Sequence, residues 1–280
     1  MKPLNSSLLA RCDLPLAIRD HASRPGSRPS RRPGGGAEAH AVRPYNQGDD
    51  PRRIDWNASA RTGELQVHTT LADVAVDVHL LPSAAATMRF GTNNRKHDKA
   101  SEVLRFIAAL AARRSDQVFL HLEQTGHVRL PGRHATALVE QHLTEPPAWG
   151  ATDSLVNTLR ELGPAQAPTL LVVVVDLYTS DAVLTELRAQ SLARDIMVVL
   201  IHDPAELTLP SAGLVTLCNP TTGQRVRLDT SNPLLAKRYR DAAAKRRQRI
   251  LDAVANHFVL EVSTAEEVDA VMARRLPRRR

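Results

Sequence analysis

The sequence predicts an α/β protein with a mostly parallel central sheet and helices on both of its faces. Two observations carry that expectation. From about residue 72 the chain alternates short apolar runs with helical patterns, which is the order of linked βαβ units. Two of those runs, 169–176 (TLLVVVVD) and 196–202 (IMVVLIH), are almost continuously apolar, as strands buried on both faces are.

Taken in order, residues 1–22 carry Leu8, Leu9, Cys12, Leu16 and Ile18 at roughly helical spacing and predict a short helix. Residues 23–36, SRPGSRPSRRPGGG, contain no core-forming side chain and read as a flexible basic linker. Residues 37–71 form an arm. Its first part, 37–63, reads as irregular, and 64–70 reads as a strand because Leu65, Val67 and Thr69 alternate with polar neighbours. A strand over 74–81 opens the main domain. Residues 99–113 predict a helix with Val103, Phe106, Ile107, Leu110 and Ala111 on one face. Strands over 117–123 and 127–130 flank Thr125 and Gly126 as a hairpin. Helices over 133–143 and 153–162 precede the first buried strand, which ends in Asp176. A helix over 181–192 leads to the second buried strand. Segments 214–217 and 224–228 flank NPTTG and predict an inserted hairpin. A long basic helix over 233–257, a strand over 258–262 and a helix over 265–274 complete the domain. The basic tail is 277–280.

Chemistry concentrates in residues 43–63, RPYNQGDDPRRIDWNASARTG. Asp49, Asp50 and Asp55 stand there against Arg43, Arg52, Arg53 and Arg61, around one aromatic of buried type, Trp56. The guanidinium fork binds carboxylates bidentately, so the set predicts a specific ion-pair network. The plainer alternative is a surface charge cluster of little energetic weight. Arginine neighbours keep Asp49 and Asp50 ionised, which suits structure over proton transfer.

The string GDDPRRIDW followed by SARTG resembles the signature of a bacterial family, the domain-of-unknown-function family fifty-eight, which is similar to von Willebrand factor type A domains. Tyr45, Gly48, Asp49, Asp50, Arg52, Ile54, Asp55, Trp56, Ala60, Arg61, Thr62 and Gly63 fit its pattern. Downstream, HDPAEL, LPSAGLV and NPTTGQ resemble the family's DPxE…LPxxGxVxL…TG segment. The resemblance covers about residues 24–276. It implies a three-layer, Rossmann-like type A domain over 72–276, preceded by an N-terminal arm and carrying an inserted β-hairpin.

The resemblance also implies a place for a metal-ion-dependent adhesion site, formed by an Asp-x-Ser-x-Ser loop, a Thr on a second loop and an Asp after the fourth strand. Mg²⁺ takes an octahedral set of hard oxygens. This chain departs from the pattern: aligned on Met88–Gly91, Ser83 stands for the Asp, Ala85 for the first Ser and Thr87 for the second. Thr152 matches the second-loop Thr and Asp176 the last Asp. With one carboxylate and one hydroxyl missing, Ser83, Thr87, Thr152 and Asp176 form a degenerate site, and no Mg²⁺ or other cofactor is expected. Strand-end and helix-capping roles are the plain alternatives for Asp176 and for Thr152 with Asp153.

For partners, the resemblance implies proteins encoded with MoxR-type AAA+ ATPases and other type A-domain proteins. The expected function is a non-enzymatic interaction module, an adaptor or co-chaperone. Residues 43–63 would anchor the arm, and loops 81–92, 150–154 and 176–180 would face the partner. The net charge of +7 is clustered over 19–32, 237–249 and the arginine tail. A second reading is therefore a basic protein held on nucleic acid or an anionic membrane surface. Aromatics at only 3% argue against single-strand stacking, so no specific nucleic acid is expected. A third reading is a metal hydrolase built on Asp49, Asp50 and Asp55, disfavoured by their cationic neighbours. There is no glycine-rich phosphate loop with a lysine and no Gly-x-Ser-x-Gly elbow. His97, His121, His127 and His134 lack metal-ligand spacing and read as surface or edge residues. Cys12 and Cys218 are too few for a disulfide framework, and the longest apolar runs fall well short of the ~20 residues of a membrane span. A cytoplasmic protein is expected.

Overall fold

In this computed structural model, which describes residues 3–16, 25–122, 126–144, 149, 154–165 and 167–278, the N-terminal helical pattern closes early. α1 (Ser6–Arg11) is capped by Asn5, whose side chain accepts from the Leu8 N–H at 3.2 Å. The helix ends at Cys12, whose backbone is extended at φ −95° and ψ 155° and whose N–H still bonds the Leu8 carbonyl. Cys12 then bridges to Arg278, and Cys12 and Leu14 enter the main core.

The reading of 23–36 as a flexible linker is corrected from Pro25 onward. β1 (Pro25–Pro44) runs antiparallel to β2 (Gln66–Val74) as a separate two-stranded ribbon. Its register shifts at Pro25/Arg28, Pro29/Pro33 and Gly34/Ala39, bulges of the kind that accommodate proline and glycine in a strand. Backbone pairing needs no apolar side chains, so composition gives no sign of it.

Residues 37–63 also differ from the irregular arm expected. A 3₁₀ turn over Pro51–Arg53 and α2 (Trp56–Thr62) follow β1. Asp50 and Asp55 supply their N-caps, and Gly63 closes α2 in the left-handed region at φ 76°.

The main sheet begins with β3 (Asp77–Leu81). After it come α3 (Lys96–Arg113), β4 (Gln117–Leu122), β5 (Gly126–Leu130), α4 (Ala135–Thr144), α5 (Ser154–Glu161), β6 (Thr169–Asp176), α6 (Asp181–Gln190), β7 (Asp195–His202) and the single turn α7 (Pro204–Leu207). β8 (Leu214–Cys218) and β9 (Arg225–Asp229) form the inserted hairpin as their own two-stranded sheet. α8 (Pro233–Ala253), β10 (Phe258–Ser263) and α9 (Val268–Arg275) end the domain.

The six central strands lie in the order β10-β7-β6-β3-β4-β5, parallel except for β5. α1, α3, α4 and α9 cover one face around Phe106, Ile107 and Met272. α5, α6 and α8 cover the other around Leu159, Leu187 and Ile250. Strand β6 is buried at every position, as its unbroken apolar run requires.

Candidate functional site

The sheet order fixes where a site can form. From β3 the chain moves outward to β4 and β5, whereas β6 lies on the other side of β3 and leads to β7 and β10. α3, which follows β3, packs on one face, and α6, which follows β6, packs on the other. The two connections diverge at the carboxyl ends of β3 and β6 and open a crevice there, the usual ligand position of open α/β sheets.

A buried ion cluster fills that position. Lys96, the first residue of α3, lies with its Nζ 2.7 Å from Asp176 Oδ2 and 2.6 Å from Glu206 Oε1. The three side chains are 0%, 3% and 4% exposed, so solvent does not screen them. Each carboxylate has a second anchor. Asp176 Oδ1 accepts from the Tyr178 N–H at 3.0 Å, the turn-capping role expected of a strand-end Asp. Glu206 Oε2 accepts from the Asp203 N–H at 2.9 Å, closing a capping box over α7. Burial raises the Glu206 pKa, and the ammonium at 2.6 Å only partly opposes it. Lys96 Nζ also lies 5.5 Å from the Tyr178 ring centre, and the Arg246 guanidinium stacks on the same ring at 5.0 Å. Burial, then the Glu206 charge, pushes the Tyr178 phenol up.

Asp203, fully buried beside this cluster, accepts from Thr92 Oγ1 (2.7 Å), the Thr92 N–H (2.8 Å) and Thr264 Oγ1 (2.5 Å). It thereby ties the loop after β3 to the ends of β7 and β10. A cavity of about 500 Å³ opens alongside, lined by Thr92, Asn93, His202, Pro204, Thr208 and Thr264.

Of the residues assigned to a vestigial metal site, Asp176 is in the cluster. Ser83 Oγ accepts from the Ala85 N–H at 3.3 Å. Thr87 Oγ1 is buried without a hydrogen-bond partner. Thr152 and Asp153 lie outside the described residues. Lys96 and Glu206 were not anticipated as site residues. The signal for Lys96 is positional: with Ala100, Val103 and Ile107 it continues the buried stripe of α3, where a charged side chain needs a partner. The signal for Glu206 is its place three residues after Asp203 in DPAE, the capping-box spacing.

Residues 43–63 lie on the arm. Arg43 and Asp49 form a bidentate pair, Nη1 to Oδ2 and Nη2 to Oδ1, both at 2.7 Å. That pair and the Asn46 N–H lower the Asp49 pKa to about 2. Asp50 and Asp55 do not complete the expected three-carboxylate network. Their oxygens accept from helix-terminal N–H groups, of Arg52 at 3.0 Å and Ala58 at 2.9 Å. Asp55 also lies 3.3 Å from His68 Nε2. Backbone bonds from Tyr45 to Leu65 and from Asp55 to Gln66, both at 2.8 Å, fasten the segment to the chain around the start of β2. Gly48 takes φ 109° in the turn before Asp49, a backbone region glycine adopts at little cost. Arg52, Arg53 and Arg61 are exposed. Trp56, expected to be buried, is 68% exposed: capping by Asp55 makes it the first residue of α2.

The histidine reading is corrected in part. His97 is buried and its Nε2 lies 3.0 Å from the Leu143 carbonyl oxygen, because it falls on the inner face of α3. His121 is buried and stacks on His79, with Nε2 2.8 Å from His79 Nδ1. Desolvation pushes both rings toward the neutral form, His79 to about 3 and His121 to about 4. Among the described residues no group of three or more His, Cys, Asp or Glu is placed to hold a metal ion.

Residues 41–249 match the family described as "Protein of unknown function DUF58". The chain belongs to that family. Relatives include "Uncharacterized protein Rv1480" of Mycobacterium tuberculosis (strain ATCC 25618 / H37Rv) and "Uncharacterized protein Mb1516" of Mycobacterium bovis. Each is 28% identical over 225 residues, covering 77% of this chain and 70% of the relative. Similar solved structures include BatB from Bacteroides thetaiotaomicron, with TM-score 0.42 and 11% identity over 72% of this chain and 97% of that one. A von Willebrand factor type A protein from Catenulispora acidiphila gives TM-score 0.33 and 14% identity over 64% of this chain and 44% of that one.

An ammonium already holds the strand-end carboxylate of Asp176, Ser83 donates no carboxylate, and Ala85 has no oxygen on its side chain. Mg²⁺ demands near-octahedral oxygen ligation and gives up its waters reluctantly. The cluster offers it a competing positive charge instead.

Proposed function

We propose that this chain is a non-enzymatic protein-interaction module, working in the cytoplasm as an adaptor or co-chaperone for a MoxR-type AAA+ ATPase. The observation that carries the reading is the placement of large aromatics. The chain has two Trp, three Tyr and four Phe. It leaves Trp56 68% exposed on the arm, and Phe90 and Tyr178 44% and 38% exposed on the two loops that flank the crevice. Exposed aromatics among arginines are the composition of interface hot spots. The β8–β9 hairpin adds exposed aliphatics, with Leu217 and Val226 paired on one face.

The test is native co-purification of the tagged chain with a MoxR-type AAA+ ATPase of the same organism, in the presence of nucleotide. Wild type is expected to retain the ATPase and Trp56→Ala to lose most of it at unchanged melting temperature. Absence of the ATPase from the wild-type eluate rejects the reading.

The second reading, attachment to an anionic surface, draws on α8, where Lys237, Arg238, Arg240 and Lys245 are exposed. The rest of that basic helix is engaged within the fold: Arg247 holds Glu261 bidentately, and Arg249 donates to the Thr179 carbonyl at 2.5 Å. Retention on anionic liposomes or DNA that vanishes at moderate salt would mark this as nonspecific electrostatics. Among the described residues no helix is long and apolar enough to cross a membrane.

A further inference from the structure

The crevice at the sheet's switch point holds a positive charge that the chain itself supplies. We infer that the Lys96 ammonium is a resident cation, standing where a divalent ion would otherwise neutralise Asp176 and Glu206. The site then takes up neither a divalent ion nor a partner's carboxylate.

Two features point to this assignment. First, an ammonium is a compact point charge with three donors. Two of them are spent on Asp176 Oδ2 at 2.7 Å and Glu206 Oε1 at 2.6 Å, and the Tyr178 ring lies 5.5 Å away. These are hydrogen-bond lengths, longer than the about 2.0–2.1 Å of Mg²⁺–oxygen bonds, so the carboxylates are spaced for an ammonium. Secondly, Lys96 opens α3, where the helix dipole disfavours a cation. A lysine buried there needs both carboxylates to be tolerated.

One consequence concerns recognition. A metal in this position can accept a carboxylate from a partner in its open coordination site. Lys96 has no exposed surface and no such site, so partner contact is left to Phe90, Tyr178 and Trp56 on the outside. The inference does not depend on which partner binds them.

The experiment is titration of Mn²⁺ and Mg²⁺ by calorimetry into the wild-type chain, into Lys96→Ala, and into Lys96→Ala combined with Asp176→Asn. Wild type is expected to take up neither ion. Lys96→Ala should take up one Mn²⁺, at least about 100-fold more tightly than the weakest binding the titration detects, because two uncompensated buried carboxylates attract it strongly. The double variant should lose that gain. Micromolar binding to wild type overturns the inference, and so does a folded Lys96→Ala chain with no gain in affinity. Where Lys96→Ala does not fold alone, its melting transition is followed after refolding with Mn²⁺ or with n-propylammonium, which replaces the deleted part of the side chain. Recovery with either cation supports the assignment, and a chain that stays unfolded with both overturns it.

Discussion

The cluster at Lys96 and the pair at Arg43 use the same chemistry in opposite surroundings. Both place a cationic nitrogen 2.7 Å from an aspartate oxygen. At the crevice the partners are 0% and 3% exposed; on the arm they are 40% and 18% exposed. Burial makes the first pair costly to build and more costly to break, since an orphaned charge inside the protein has no water to turn to. The exposed pair is screened and weak. Identical distances therefore mark a structural keystone in one place and an adjustable surface in the other.

The largest expected effect comes from breaking the buried member. Lys96→Met should lower unfolding free energy by about 3–5 kcal/mol in urea titration; a loss below 1 kcal/mol would erase the distinction between the two regions. Glu206→Gln keeps the Lys96–Asp176 pair and should cost less, about 1–2 kcal/mol.

The pH dependence of the two regions should run in opposite directions. Glu206 has a raised folded pKa, so the folded state binds its proton more readily than the unfolded chain does. Its contribution to stability is present at low pH and is lost as pH rises through the folded value. Asp49, lowered from 3.8 to about 2, contributes above its unfolded pKa and loses that contribution as pH falls toward 2. Urea unfolding of wild type, Glu206→Gln and Asp49→Asn across acidic pH separates the two slopes. Equal slopes in the two variants would contradict the contrast.

On the arm, Asp55→Ala removes the α2 cap and should cost about 1 kcal/mol. Trp56→Ala, on the exposed face of the same helix, should change stability by less than about 0.5 kcal/mol. A large loss for Trp56→Ala would mean that the indole supports the fold.

This contrast also explains what could be read in the chain. β6 and β7 were legible because burial on both faces leaves no room for polar residues, and α3 was legible from its stripe. The segment 43–63 was legible as a pattern, and its bidentate Arg43–Asp49 pair forms, but the other two aspartates and the tryptophan are placed differently from the expectation. Charges and a tryptophan close in sequence suggested a specific ion-pair network, whereas Asp50 and Asp55 cap helices and Trp56 is exposed. Lys96, Asp176 and Glu206 are brought together from three separate elements, α3, β6 and α7, at sequence separations of 80 and 110 between Lys96 and its partners. No local window contains that information. β1 was missed because its pairing rests on backbone groups, while its residues have the composition of a linker.

The prolines of β1 have one more effect. A two-stranded ribbon outside the main sheet offers open edges, and a long unpaired edge is a template for adding a foreign strand. Pro25, Pro29, Pro33 and Pro44 each remove a backbone donor from a strand of 20 residues. A strand interrupted in this way does not carry an unbroken row of N–H groups. The same residues that made this stretch look unstructured in sequence protect the ribbon against edge-to-edge aggregation, and replacing them with β-formers should regularise the strand at the expense of solubility.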